Sequence, residues 1–170
     1  MTIIEFFNAY GSLIQTGAII VSAIAAVILI IHNGRLSKKR CLIDLIVEQK
    51  NNERLVEDTR LVFSLAGKNS NTLSKYACLS GNEETPEFIK NRQAILNVLN
   101  NFEFIAVGIR LGAFDEKVYK QLQCGNLLKL WNATAGFIHE LRRVSGRYTV
   151  FQDIEHLAHR WEKSPIKQIH

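Results

Sequence analysis

From Leu13 to Ile31 the chain carries no charged side chain, and Gln15, Thr16 and Ser22 are the only polar ones in that run. At a rise of 1.5 Å per residue, about 20 apolar residues cross the roughly 30 Å hydrocarbon core of a bilayer. Four cations follow at once, Arg35, Lys38, Lys39 and Arg40, whereas Glu5 is the only acid before Cys41. A secretory signal has the reverse order, with positive charge first, a shorter apolar core and small residues at its end. A buried core helix of a soluble protein is the other alternative, and the length of the uncharged run argues against it. The run therefore reads as a permanent anchor. Lys and Arg flanks stay on the cytoplasmic side, so the N-terminus is expected outside and the C-terminal part in the cytoplasm. Phe6, Phe7 and Tyr10 suit the outer headgroup boundary. Ala18, Ser22 and Ala26 form a small-residue stripe suited to close packing of two anchors, although small residues are common in spanning helices generally.

The net charge of +5 invites a nucleic-acid reading. Its distribution argues otherwise, because 17 basic residues face 15 acidic ones from Cys41 onward. The excess sits beside the apolar run, where a basic cluster is attracted to anionic lipid at the cytoplasmic face. Nucleic acid is thus an unlikely partner. Cys41, Cys78 and Cys124 are widely separated, without a C-x-x-C pair or zinc-ligand spacing to histidine, and read as reduced thiols. An odd number of cysteines suits a reducing compartment.

Beyond the anchor every periodic segment is helical and none reads as a strand. Leu42 to Ala66 reads as one long helix, a stalk, with the polar stretch "EQKNNER" (Glu48–Arg54) at its middle. Glu48 and Asn52 at core spacing weaken a parallel coiled coil for this stretch. Ala66 to Glu87 holds most of the turn-forming residues, with a short helix expected around Leu73 to Leu79. Thr85, Pro86 and Glu87 carry the signature of a helix start. From there Ile89, Ile95, Leu96, Leu99, Phe102, Ile105, Ala106 and Ile109 keep helical spacing to Gly112. Asp115 opens a shorter helix ended by Gly125, and Leu127 to Leu141 marks another, closed by Ser145 and Gly146. Thr149 and Gln152 form a capping-box pattern before Ile154, Leu157, Ala158 and Trp161. The expected fold is all-α, with one N-terminal transmembrane helix, a helical stalk and a compact cytoplasmic antiparallel bundle. Its order is a short external N-terminus (1–11), the transmembrane helix (12–32), a basic juxtamembrane segment and stalk (33–66), a loop region (67–86), the bundle (87–162) and a tail (163–170).

Glu103 stands out chemically, because "NNFEFIAVGIR" sets a carboxylate among Phe102, Phe104 and Ile105. Such a group must be paired or protonated. Arg142 and Arg143 are the expected partners, with Asn100 able to share the network. A structural ion pair is the preferred reading over an acid/base or ligand-gripping carboxylate, since perturbed carboxylates occur in both settings. His156 and His159 share a helical face with Glu155 nearby, but they lack the H-E-x-x-H spacing and a third ligand, so no metal is expected. His139 beside Glu140 is an isolated pair. The sequence holds no G-x-S-x-G, phosphate loop or dinucleotide fingerprint, and no catalytic residue or cofactor is assigned.

The stretch "ILNVLNNFEFIAVGIRLGAFDEKVYKQL", then Trp131, "FIHELRR" and "YTVFQDIEHLAHRW", resembles the bacterial and phage-borne membrane proteins grouped as domain-of-unknown-function family 4760. The pattern falls on Asn100, Glu103, Gly108, Ile109, Asp115, Glu116, Arg142 or Arg143, Tyr148, Phe151 and Trp161, and the resemblance runs from the anchor to Trp161, matching least well over Ser64 to Glu84. It implies architecture and no activity. Three functions are weighed. The first is a single-pass inner-membrane protein whose bundle binds another protein, with a homo-oligomer formed through the anchor. The second, implied by the family's phage-borne members, is a membrane effector of phage exclusion or antiphage defence. The third is an enzyme built on Glu103 and Arg142 or Arg143.

Overall fold

The computed structural model describes residues 3–67, 72–78 and 85–166, and the side chains of residues 3–9 are outside that description. The expected headgroup contacts of Phe6 and Phe7, much of the expected loop and the end of the tail therefore lie outside the described residues. Five α-helices are described: α1 (Ile3–Asn51), α2 (Glu53–Ala66), α3 (Pro86–Arg110), α4 (Glu116–Ser145) and α5 (Gln152–Glu162), with a 3₁₀ turn at Ser74–Ala77. No strand occurs among the described residues, so the chain is all-α. It divides into two units, one ending at Arg40 and one beginning at Cys41.

The described residues of the first unit are helix alone. From Leu13 to Ile31 every side chain is exposed, Val21 and Ile30 by 67% and 71%. A helix is the form that satisfies every backbone group internally where no water can do so. The two hydroxyls of the run are satisfied in the same way, Thr16 donating to the Ser12 carbonyl and Ser22 to that of Ala18, both at 2.8 Å. Tyr10–Asn51 is thus one helix long and apolar enough to cross a membrane.

The second unit is a packed helical core. Val98, Leu99 and Ile105 of α3 meet Leu127, Leu130, Phe137 and Ile138 of α4 and Ile154, Leu157 and Trp161 of α5, all almost fully buried. Each such side chain contributes about 1.5–3 kcal/mol from burial. Contacts run from α2 to α3, from the 3₁₀ turn to α3 and α4, and from α5 to α3 and α4. Leu42 and Ile46, in the last turns of α1, belong to the same core.

Local chemistry explains most helix boundaries. Thr85 caps α3 by accepting from the Phe88 N–H at 3.1 Å, and Asp115 caps α4 by accepting from that of Val118 at 3.1 Å. Gly146, in the left-handed region at φ 66°, closes α4, a conformation glycine adopts without penalty. The helix expected over Leu42–Ala66 is in fact two. The Asn52 N–H still bonds back to the Glu48 carbonyl, but its ψ of 94° ends α1, and its side chain accepts from the Leu55 N–H to start α2. Gly125 ends nothing: α4 runs through it, exposed, because the apolar periodicity on either side outweighs the roughly 1 kcal/mol a helical glycine costs. Ile89, expected in the core, is 39% exposed one turn inside α3.

Candidate functional site: a polar network at the start of α5

The capping box expected from Thr149 and Gln152 is absent. Thr149 contributes only its carbonyl to the Gln152 N–H, at 3.3 Å, and the residue before α5 is Phe151, which has no side-chain acceptor. Phe151 is also the only non-glycine with positive φ among the described residues, at φ 57° and ψ 32°. Such a backbone costs about 1–3 kcal/mol. Burial of the ring, 7% exposed, offsets part of that cost.

The missing acceptor comes from α3. Glu103 Oε1 accepts from the Asp153 N–H at 3.2 Å, and Oε2 accepts from the Ile154 N–H at 2.8 Å. These are the amides a helix leaves unpaired at its first turn, and the end they mark carries partial positive charge. Burial pushes the Glu103 carboxyl above its ordinary value, outweighing the two amides, which act in the opposite direction. Asp153 adds to the rise and Arg142 subtracts from it. Both oxygens are engaged by the helix end.

Three further side chains complete the network. Arg110, two turns along α3 from Glu103, donates Nε–H to Asp153 Oδ1 at 2.6 Å. Arg142 of α4 donates Nε–H to the Val150 carbonyl at 2.8 Å and an Nη1 hydrogen to Glu155 Oε2 at 2.7 Å. The connection into α5 is thus held from two helices, its first turn by α3 and the chain just before it by α4.

The structure separates the residues that the sequence grouped. Arg142, with a side chain 11% exposed, is in the network, although its ion-pair partner is Glu155. Arg143 lies outside it, 71% exposed and paired to Glu140 on its own helix at 2.6 Å. One residue is about 100° of helix rotation, so only one of two adjacent arginines can face α5. Asn100 is also outside, exposed beside a shallow depression shared with Asn52, Arg54 and Asn97. The sequence does not single out Arg110 or Asp153, and it marks Glu155 only as a neighbour of His156 and His159. The signal available for Arg110 was its seven-residue spacing from Glu103, which places both on one helix face.

The remaining candidates are dispersed. His139 and His159 meet Trp131 edge-on, with ring centroids at 6.1 and 5.4 Å, while His156 is exposed. No cluster of three or more metal-ligating side chains occurs among the described residues. The three cysteines are free thiols. Arg35, Lys38, Lys39 and Arg40 are exposed along α1, and Ala18, Ser22 and Ala26 are exposed one turn apart.

Two contacts bind the ends of α3 and α4 to the rest. The Phe114 ring lies directly against Gly108, where a Cβ would collide with it. The turn after α3 brings it there, with the Ala113 and Phe114 amides donating to the Gly108 carbonyl at 2.8 and 3.2 Å. Glu116 accepts from Trp161 Nε1 at 2.9 Å and pairs with Arg160.

Among known proteins, a family model described as a domain of unknown function (DUF4760) matches residues 12–161. No curated protein and no solved structure matches the chain.

Proposed function

We propose that this chain, which belongs to the DUF4760 family, is a single-pass membrane protein whose helical unit beyond Arg40 is a cytoplasmic protein-interaction module. The observation that carries the anchor is the wholly exposed apolar face from Leu13 to Ile31, followed within one turn by the cationic cluster. A soluble protein would leave that surface in water, whereas lipid covers it. Arg35 to Arg40 then favour a cytoplasmic location for everything after them and rest against anionic headgroups. Ala18 and Ser22, with the hydroxyl folded back onto the helix, allow two anchors to approach closely.

The interaction role rests on the second unit's surface. Phe104 on α3 and Leu111, the residue just after that helix, are 60% and 69% exposed, and Tyr148 is 79% exposed in the turn after α4. On this reading these exposed side chains are the anchors of partner binding, the part that large apolar and aromatic groups play at the centre of an interface. The polar network is a fold-fixing element on this reading, and no catalytic step is assigned to it. A cytoplasm-active reporter fused after residue 170 tests the topology; activity of a periplasm-dependent reporter at that point instead would refute it. A photo-crosslinking residue at Phe104 is expected to give one discrete adduct in membranes while one at Lys117 does not. Equal, diffuse labelling at both positions would remove the interaction reading.

A further inference from the structure

A cavity of about 280 Å³ opens within the second unit between the last turn of α1, α2, α3 and α4. Ile46, Leu55, Phe63, Phe102 and Leu130 make its apolar wall. Gln49 lines it with an amide nitrogen that is buried and has no hydrogen-bond partner among the described residues. Tyr119, almost fully buried, lines it too, and no hydrogen bond of its hydroxyl is seen among the described residues. Buried polar groups are ordinarily paired, so an unspent amide nitrogen beside a tyrosine hydroxyl on one cavity marks a place built to be completed by something else. Lys50 and Arg60 supply the charge at its edge, and no carboxylate is among the lining residues. The size lies at the lower end of small-molecule sites, which are mostly apolar with a few convergent polar groups.

We propose that this cavity binds a small amphipathic organic anion. Its apolar body packs among Phe63, Phe102 and Leu130, and its anionic oxygens accept from the Gln49 amide and face Lys50 and Arg60. This site is independent of the protein-interaction reading and of the network at α5. Ligand chemistry of this kind has two sources, an aromatic carboxylate or a short acyl carboxylate, and separate probes distinguish them.

The test is calorimetric titration of the full chain in lipid nanodiscs with 2-naphthoate and, in parallel, octanoate. Empty nanodiscs give the partition background. At least one probe is expected to bind saturably at one site, with Kd below about 1 mM. Gln49→Leu removes the unpaired donor at nearly constant volume and is expected to weaken binding about tenfold, the usual effect of losing a hydrogen bond to a charged group. Arg60→Gln is expected to weaken it about threefold, and Thr59→Phe, which fills the cavity, to abolish it. Each variant's melting curve is recorded. If Thr59→Phe does not fold, the other two decide the matter, since one replaces an unpaired amide and the other an exposed side chain. No saturable binding of either probe overturns the proposal. So does unchanged affinity in Gln49→Leu, or equal binding of neutral 2-naphthamide.

Discussion

Replacing Glu103 by leucine tests whether α5 depends on a carboxylate from another helix. The change removes both acceptors of the Asp153 and Ile154 amides at roughly constant volume. Each buried amide left without a partner costs about 1–3 kcal/mol, and loss of a helix cap by itself about 0.5–2 kcal/mol. Leucine recovers part of this, because a half-buried carboxylate no longer has to be desolvated. The expected net loss is about 2–4 kcal/mol, or roughly 10 °C in melting temperature for a unit of this size. Glu103→Gln keeps one acceptor oxygen and is expected to lose only about 1 kcal/mol. The pH dependence has a definite sign. Because the folded carboxyl is raised above the ordinary value of 4.5, the folded state binds the proton more tightly than the unfolded one. Glu103's contribution is therefore most favourable below 4.5 and declines as pH rises through the window above that value, a dependence absent in Glu103→Gln. Far-UV circular dichroism melts give the stabilities, and amide hydrogen exchange at Asp153 and Ile154 reports the cap itself. A Glu103→Leu protein as stable as the parent, with both amides still protected, would refute the reasoning.

Gly108→Ala is expected to destabilise by about 1–3 kcal/mol through collision with the Phe114 ring, and the double variant with Phe114→Ala to show less than the sum of the two losses in denaturant titrations. Arg142→Met is expected to cost about 2–4 kcal/mol by stranding Glu155 and the Val150 carbonyl, whereas Arg143→Met leaves the melting temperature unchanged. Equal effects of the two arginine changes would contradict the assignment. Asn52→Ala removes the side-chain cap of α2 and is expected to cost about 1 kcal/mol, with Asn52→Asp close to neutral in the same melts.

What the sequence disclosed depended on how far apart the interacting residues lie along the chain. The apolar run, the starts of α3 and α4 at Thr85 and Asp115, and the close of α4 at Gly146 are local, and each is readable from residues within one turn. Asn52 was readable too, since Asn followed by an acid is a cap signature, but apolar residues on both sides suggested continuity. Glycine suggested a break at Gly125, where packing overruled it. The cap of α5 was not readable, because its acceptor lies some 50 residues upstream while a capping-box pattern at Thr149 offered a local substitute. Glu103 was identified as a residue needing a partner; the partner proved to be a helix end, a backbone feature without a sequence label. Of the residues on which the resemblance rests, Glu103 caps, Gly108 seats a ring, Asp115 caps, Glu116 holds Trp161 and Arg142 holds the chain before α5, whereas Asn100 and Tyr148 are exposed.

The foreign cap of α5 also bears on how such a fold can change over evolutionary time. Eleven residues with a strained first corner have no autonomous helical existence in water. The segment is therefore not a portable cassette: transplanted without α3 it would be coil, and a substitution at Glu103 would be felt in a stretch of chain it never touches in sequence. Drift in the two regions is coupled, so tolerated changes near Asp153 should depend on which residue occupies position 103.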